Sequence, residues 1–174
     1  MEHQLVTVLS AAQITARVRD LGELISKDYQ DRDLILISVL RGSAYFAVDL
    51  SRWLTVPFAL DFISISRYTE PANAAGVVRI TKDLDLSITG KDALIVEDIV
   101  DTGLSLGYLL RNLETRNPAS LKVCTLLNIA ARRLVSVPVD YMGFDLPNIF
   151  VVGYGLDYNE GYRNLDHIAE LTRV

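Results

Sequence analysis

Three acids and a hydroxyl-bearing turn stand at the end of one apolar run. Across residues 94–105, Leu94-Ile95-Val96 leads into Glu97 and Asp98, Asp101 follows three residues later, and Thr102-Gly103-Leu104-Ser105 opens an amphipathic stretch. The apolar run is too short for a buried helix, so the order reads strand, loop, helix. A loop at the carboxyl end of a parallel strand is where α/β proteins hold ligands, and the following helix begins with unpaired N–H groups. Thr102 and Ser105 add hydroxyl donors and Gly103 lets the backbone close tightly, which makes residues 101–105 a nest for a phosphate. Leu104 leaves the nest without a lysine, so it works through amides and hydroxyls. Carboxylates beside a phosphate repel it unless a cation or a polyol lies between, so Glu97 and Asp98 point to ribose hydroxyls or Mg²⁺. The plainer alternative is a turn in which Asp98, Asp101 and Thr102 cap the helix. Capping needs only one of the three acids.

The elements that must position these residues are legible in the flanking chain. Ser10-Ala11-Ala12-Gln13 has capping-box spacing, and Ile14, Val18, Leu21 and Ile25 then recur at helical intervals to about Tyr29. Residues 34–40 form a near-continuous apolar run, as in a strand covered on both faces. Arg41-Gly42-Ser43 breaks it, and residues 44–54 resume with helical spacing. Residues 58–66 read as a strand, 77–81 as a returning strand, 84–90 as a connection, 106–116 as a helix stopped by Asn117-Pro118, and 122–127 as another buried strand. Between them, residues 67–76 lose all periodicity, a polar stretch too long for a hairpin turn and a candidate mobile flap. A last strand is expected at Phe150-Val151-Val152. Repeated βα units predict an α/β fold with a mostly parallel sheet and helices on both faces.

Bulk composition narrows the class. With 174 residues, half of them apolar, residues 1–174 fit a single domain with a sizeable core. A net charge of −5 and a pI near 5.0 argue against non-specific binding to nucleic acid or to an anionic membrane. Cys124, the single cysteine, allows no internal disulfide and suits a reducing compartment. The first residues lack the plan of a signal peptide and no run reaches membrane-spanning length, so the cytoplasm is expected. His3 and His167 lie in no metal-ligand or triad pattern.

Residues 96–105 resemble the phosphoribosyl-pyrophosphate (PRPP) motif of the type I phosphoribosyltransferases, and the remainder resembles the hypoxanthine-guanine members of that family. Further matches are Val39-Leu40-Arg41-Gly42-Ser43, the Asp61-Phe62 strand, residues 150–160 and Tyr162-Arg163-Asn164-Leu165, in family order from about residue 5 to the end. The resemblance implies the type I phosphoribosyltransferase fold with a flexible lid loop and a small base-binding hood, and transfer of phosphoribose from PRPP to N9 of hypoxanthine or guanine with Mg²⁺. It makes Asp101 the group exchanging a proton with purine N7, Glu97, Asp98 and the 101–105 nest (Thr102, Gly103, Leu104, Ser105) the ribose and 5′-phosphate site, and Arg41, Gly42, Arg67, Tyr68 and Arg163 the pyrophosphate site. It adds a lid carrying Tyr68, a cis peptide between Arg41 and Gly42, and a homodimer or homotetramer. Phe150, Val151 and the position of Ile129 fall on the purine, while Asp157 joins Glu97 and Asp98 as a Mg²⁺-associated carboxylate.

The pattern departs from the family at Ile129, where a lysine that hydrogen-bonds the 6-oxo group is usual. Isoleucine cannot donate, which implies a loosened distinction between 6-oxo and 6-amino purines and 6-oxopurine turnover weakened rather than absent, with Asn128 or Arg132 as candidate substitutes, or a different base. The rival from another class is a non-catalytic regulator of the same fold that senses PRPP or nucleotides and binds RNA or a protein. The acidic pI and absence of a basic run stand against it.

Overall fold

The computed structural model describes residues 3–68 and 77–173, apart from the side chains of residues 3, 67, 68, 77 and 173. Nine strands and three α-helices alternate along it: β1 (His3–Leu9), α1 (Ala11–Asp28), β2 (Leu34–Leu40), α2 (Ser43–Trp53), β3 (Phe58–Tyr68), β4 (Val77–Lys82), β5 (Asp92–Val100), α3 (Leu104–Glu114), β6 (Ser120–Asn128), β7 (Tyr141–Asp145), β8 (Val151–Val152) and β9 (Ile168–Arg173). The expected flap at residues 67–76 lies outside the described residues, save for the backbone of 67 and 68.

Six strands form one sheet in the order β4-β3-β2-β5-β6-β7. All neighbours are parallel except β4, which returns antiparallel to β3 at the edge. Because successive side chains of a strand point to opposite faces, the apolar runs of β2 and β5 feed two cores. Leu34, Leu36, Leu94 and Val96 pack with Ile14, Val18, Leu21, Phe46 and Leu50 of α1 and α2. Ile35, Ile37, Ala93 and Ile95 pack with Leu106, Leu109, Leu110 and Leu113 of α3. Helices thus cover both faces, as the alternation of elements predicts. The Ser10–Gln13 capping box is formed and fixes the start of α1.

One buried acid belongs to the scaffold. Asp61 on β3 accepts the N–H groups of Phe62, Asp85 and Leu86 at 2.7–2.8 Å, tying the 83–90 connection to the sheet.

A second, antiparallel sheet of order β1-β9-β8 joins the two ends of the chain. Phe150-Val151-Val152 is therefore not the last strand. The true last strand, residues 168–173, interrupts its apolar residues with Glu170 and Thr172 and is specified by pairing with β1 rather than by a buried run.

Candidate active site

The carboxyl ends of β2 and β5, adjacent and parallel at the centre of the sheet, open into one hollow. A cavity of about 180 Å³ is lined by Leu40, Arg41 and Gly42 on one side and by Glu97, Asp98, Asp101, Gly103 and Ser105 on the other. A second cavity, of about 170 Å³, is lined by Arg132, Ile149, Phe150, Val151, Leu156, Asp157 and Arg163. Both share Asp98, Ile99 and Asp101. The hollow therefore has two chambers that meet at a pair of carboxylates.

Strand β5 runs further than its apolar residues suggest: Glu97 and Asp98 lie within it, and the loop begins only at Asp101. Asp98 Oδ1 accepts the Ile99 N–H at 2.8 Å and Asp101 Oδ1 accepts that of Thr102 at 2.5 Å. The residue at the N-cap of α3 is Gly103, with no side-chain cap. Thr102 Oγ1 approaches that role, accepting the Leu104 N–H at 3.4 Å. None of the three acids occupies the N-cap position itself. Gly103 has φ +77°, and a Cβ there would collide with the Val135 carbonyl oxygen, so glycine is required.

The rest of the 101–105 loop is held by a residue that periodicity and motif spacing do not single out. Arg133 donates from Nε to the Asp101 carbonyl at 2.8 Å and from Nη2 to that of Val100 at 3.3 Å. The N–H groups of Leu134 and Val135 both reach the Thr102 carbonyl, at 2.9 and 3.0 Å. With its carbonyls turned to this clamp, the loop is fixed before any ligand arrives.

Glu97 is 8 % exposed, and burial, followed by the charges of Asp98 and Asp101, pushes its carboxyl well above the ordinary range. Burial also raises Asp98, to about 6, against the opposing pull of the Ile99 N–H and Arg163. These acids are short of positive charge, as suits a hard, oxygen-seeking cation or a set of hydroxyl donors. Among the described residues, however, no three acidic, His or Cys side chains converge on one metal position. The expected set of Glu97, Asp98 and Asp157 is thus not a preformed cage. The reason is geometric: Asp157 lies on the far wall, its Oδ1 2.8 Å from Arg163 and its Oδ2 accepting the Glu160 N–H at 3.0 Å.

The cations expected for pyrophosphate converge as well. Arg41 Nη1 lies 3.1 Å from Glu160 Oε2, and Arg163 Nη2 lies 3.4 Å from the same oxygen. Arg163 Nη1 also donates to the Gly155 carbonyl at 2.7 Å. Gly42 is wedged between these walls, since a Cβ there would run into Asp98 Oδ2. The cis peptide expected at Arg41–Gly42 is found one bond earlier, at Leu40–Arg41, and Gly42 itself has ordinary helical angles as the N-cap of α2. The side chains of Arg67 and Tyr68 lie outside the described residues.

At the base end, Phe150 is 44 % exposed, with its ring edge-on to Tyr158 at 5.9 Å, so it is a wall of the chamber and not core. Strand β8 is the edge of the small sheet. The Phe150 carbonyl pairs with the Leu171 N–H, so in an antiparallel ladder the peptide groups of Val151 face away from β9.

Ile129 is the clear correction. Its side chain is 0 % exposed within the larger core, its N–H is taken by the Val100 carbonyl at 3.0 Å, and it lines neither chamber. An apolar side chain that ends a buried strand gains more from the core than from a polar cavity. Asn128 is also engaged, donating to Asp145 at 2.8 Å and accepting from Arg133 at 2.5 Å, whereas Arg132 does line the second chamber.

Comparison with known proteins agrees with this geometry. The family model described as "Phosphoribosyl transferase domain" matches residues 7–159. The chain is 51% identical over 170 residues to the hypoxanthine-guanine phosphoribosyltransferase of Mycobacterium avium, covering 94% of this chain and 84% of that one. It is 43% identical over 173 residues to the hypoxanthine phosphoribosyltransferase of Escherichia coli (strain K12), covering 98% and 97%. The crystal structure of a hypoxanthine phosphoribosyltransferase from Staphylococcus aureus superposes with a TM-score of 0.92 at 40% identity, covering 96% and 91%. With a family model matched over residues 7–159 and relatives matched over most of their length, the chain belongs to the phosphoribosyltransferase family.

Proposed function

We propose that this protein is a purine salvage enzyme, transferring the 5-phosphoribosyl group of PRPP to N9 of hypoxanthine or guanine and giving IMP or GMP with pyrophosphate. The observation that carries the reading is the pair of chambers meeting at Asp98 and Asp101, one flanked by anion-binding loops and the other walled by Phe150 and Val151. A phosphorylated sugar bridging them sets its C1 against a base held in the second chamber, and relatives named for hypoxanthine and guanine supply the class of base.

The residues divide the work by position. The amides and hydroxyls of Thr102, Gly103, Leu104 and Ser105 anchor the 5′-phosphate, and Arg41, Gly42 and Arg163 receive the pyrophosphate, joined by Arg67 and Tyr68 from the expected lid. Anchoring both ends aligns the sugar, while the carboxylates of Glu97 and Asp98 hold its hydroxyls and favour positive charge developing at C1. Asp101 borders both chambers and exchanges the proton of purine N7. Phe150 stacks on the purine and the outward peptide groups of Val151 pair with its edge. Glu97 and Asp98, with Asp157 once parted from Arg163, are the residues that would hold Mg²⁺ together with substrate oxygens. The ion would neutralise the departing pyrophosphate.

The same reading makes residues 1–174 one domain acting in the cytoplasm as a homodimer or homotetramer. No helix among the described residues is long and apolar enough to cross a membrane. The test is product formation from PRPP, Mg²⁺ and a panel of hypoxanthine, guanine, xanthine and adenine, run beside RNA retention on a filter. Nucleotide formed from hypoxanthine or guanine supports the assignment. RNA retention with no nucleotide from any base defeats it in favour of the regulator.

A further inference from the structure

We infer that Arg132 is the side chain that reads the 6-position of the purine, selecting an oxo over an amino group; the inference rests on the proposed transfer to a purine. A 6-oxopurine presents an acceptor at O6, whereas a 6-aminopurine presents a donor at the same position. The charged side chains of the second chamber are three carboxylates, Asp98, Asp101 and Asp157, and two cations, Arg132 and Arg163. The carboxylates cannot donate to O6. Arg163 is committed at both ends of its fork, Nη1 to the Gly155 carbonyl and Nη2 to Asp157.

Arg132 is differently placed. It ends the 3₁₀ turn Ala130–Arg132, with Nε donating to Asn148 Oδ1 at 2.5 Å and Nη2 to the Ile149 carbonyl at 3.1 Å. Those two bonds engage Nε and Nη2 and tie the guanidinium to the 148–149 turn just before Phe150, and neither of them uses Nη1. A charged donor held rigidly at the rim of a chamber rich in acceptors fits an oxo group. It leaves a 6-amino group facing another donor, a mismatch that a hydrogen-bonding site rejects strongly. Asn128 and Ile129, the neighbours in sequence, are both consumed elsewhere.

The experiment compares wild type, Arg132→Met and Arg132→Lys with hypoxanthine, adenine and unsubstituted purine, which lacks the 6-oxo group, at saturating PRPP and Mg²⁺. PRPP affinity is measured separately by calorimetry. Arg132→Met is expected to lower the kcat/KM ratio of hypoxanthine to purine by about 10- to 100-fold, the range for a charged donor on a neutral acceptor. Arg132→Lys should restore part of that ratio, with PRPP affinity unchanged throughout. An unchanged ratio overturns the inference even if both bases lose activity together, because a merely structural arginine costs both equally. A wild type that binds PRPP but uses none of the bases removes the transfer reading itself, and this inference with it.

Discussion

Replacing Asp98 by asparagine should make the unliganded protein more stable and the enzyme worse. The introduced amide keeps an oxygen for the Ile99 N–H, so the substitution removes charge and little else. Burial holds the Asp98 carboxyl at about 6, against an ordinary 3.8. At about 1.4 kcal/mol for each tenfold, and discounted for contact with cavity water, this corresponds to about 2–3 kcal/mol. The sign follows from proton counting. Between pH 4 and 6 the folded chain holds a proton that the unfolded chain has released, so this group's contribution to stability falls as pH rises through that window and stays lost above it. Urea unfolding of both proteins from pH 4 to 8 isolates the effect as a difference. Asp98→Asn should match wild type near pH 4 and exceed it by about 2–3 kcal/mol at pH 8, equivalent to about 5–10 °C in Tm. PRPP with Mg²⁺ should then reverse the order, since the ligand needs the lost charge. A wild type equal to or more stable than Asp98→Asn at pH 8 without ligand would show that the buried carboxylate is not held against its preference, and the case for a cation or hydroxyl partner there would fail.

Three further outcomes are expected. Asp101→Asn should lower turnover by about a hundredfold to ten-thousandfold while calorimetry shows PRPP binding retained; near-normal turnover would remove its proton-transfer role. Ile129→Lys buries an ammonium among core side chains and should cost about 3–5 kcal/mol in urea unfolding, with no gain in 6-oxopurine efficiency. A soluble, equally stable variant with faster hypoxanthine turnover would instead place residue 129 at the base. Glu160→Gln removes the carboxylate that now occupies both pyrophosphate-side arginines and should tighten PRPP binding by about twofold to fivefold, a small effect because Arg41 and Glu160 are 71% and 63% exposed in their side chains. Unchanged affinity in a low-salt titration would mean that the contact does not compete with substrate.

What the sequence settled by itself is local. Apolar runs at 34–40 and 94–96 are enough to specify buried strands, because no other short element hides unbroken hydrophobic side chains on both faces, and Ser10–Gln13 specifies a helix start through its own hydrogen bonds. The strand, loop, helix order at 94–105 was legible for a similarly local reason, since Gly103 between two hydroxyl residues breaks the apolar pattern. Tertiary structure alone decided the rest, where partners come from distant parts of the chain. The small sheet exists only because β1 meets β9, Arg133 matters only because its guanidinium reaches carbonyls 32 and 33 residues earlier, and Glu160 acquires a role only where two arginines converge. Position 129 shows the limit most plainly. Alignment by family order put it at the base, yet its side chain lies buried in the core while Arg132, three residues on, lines the chamber.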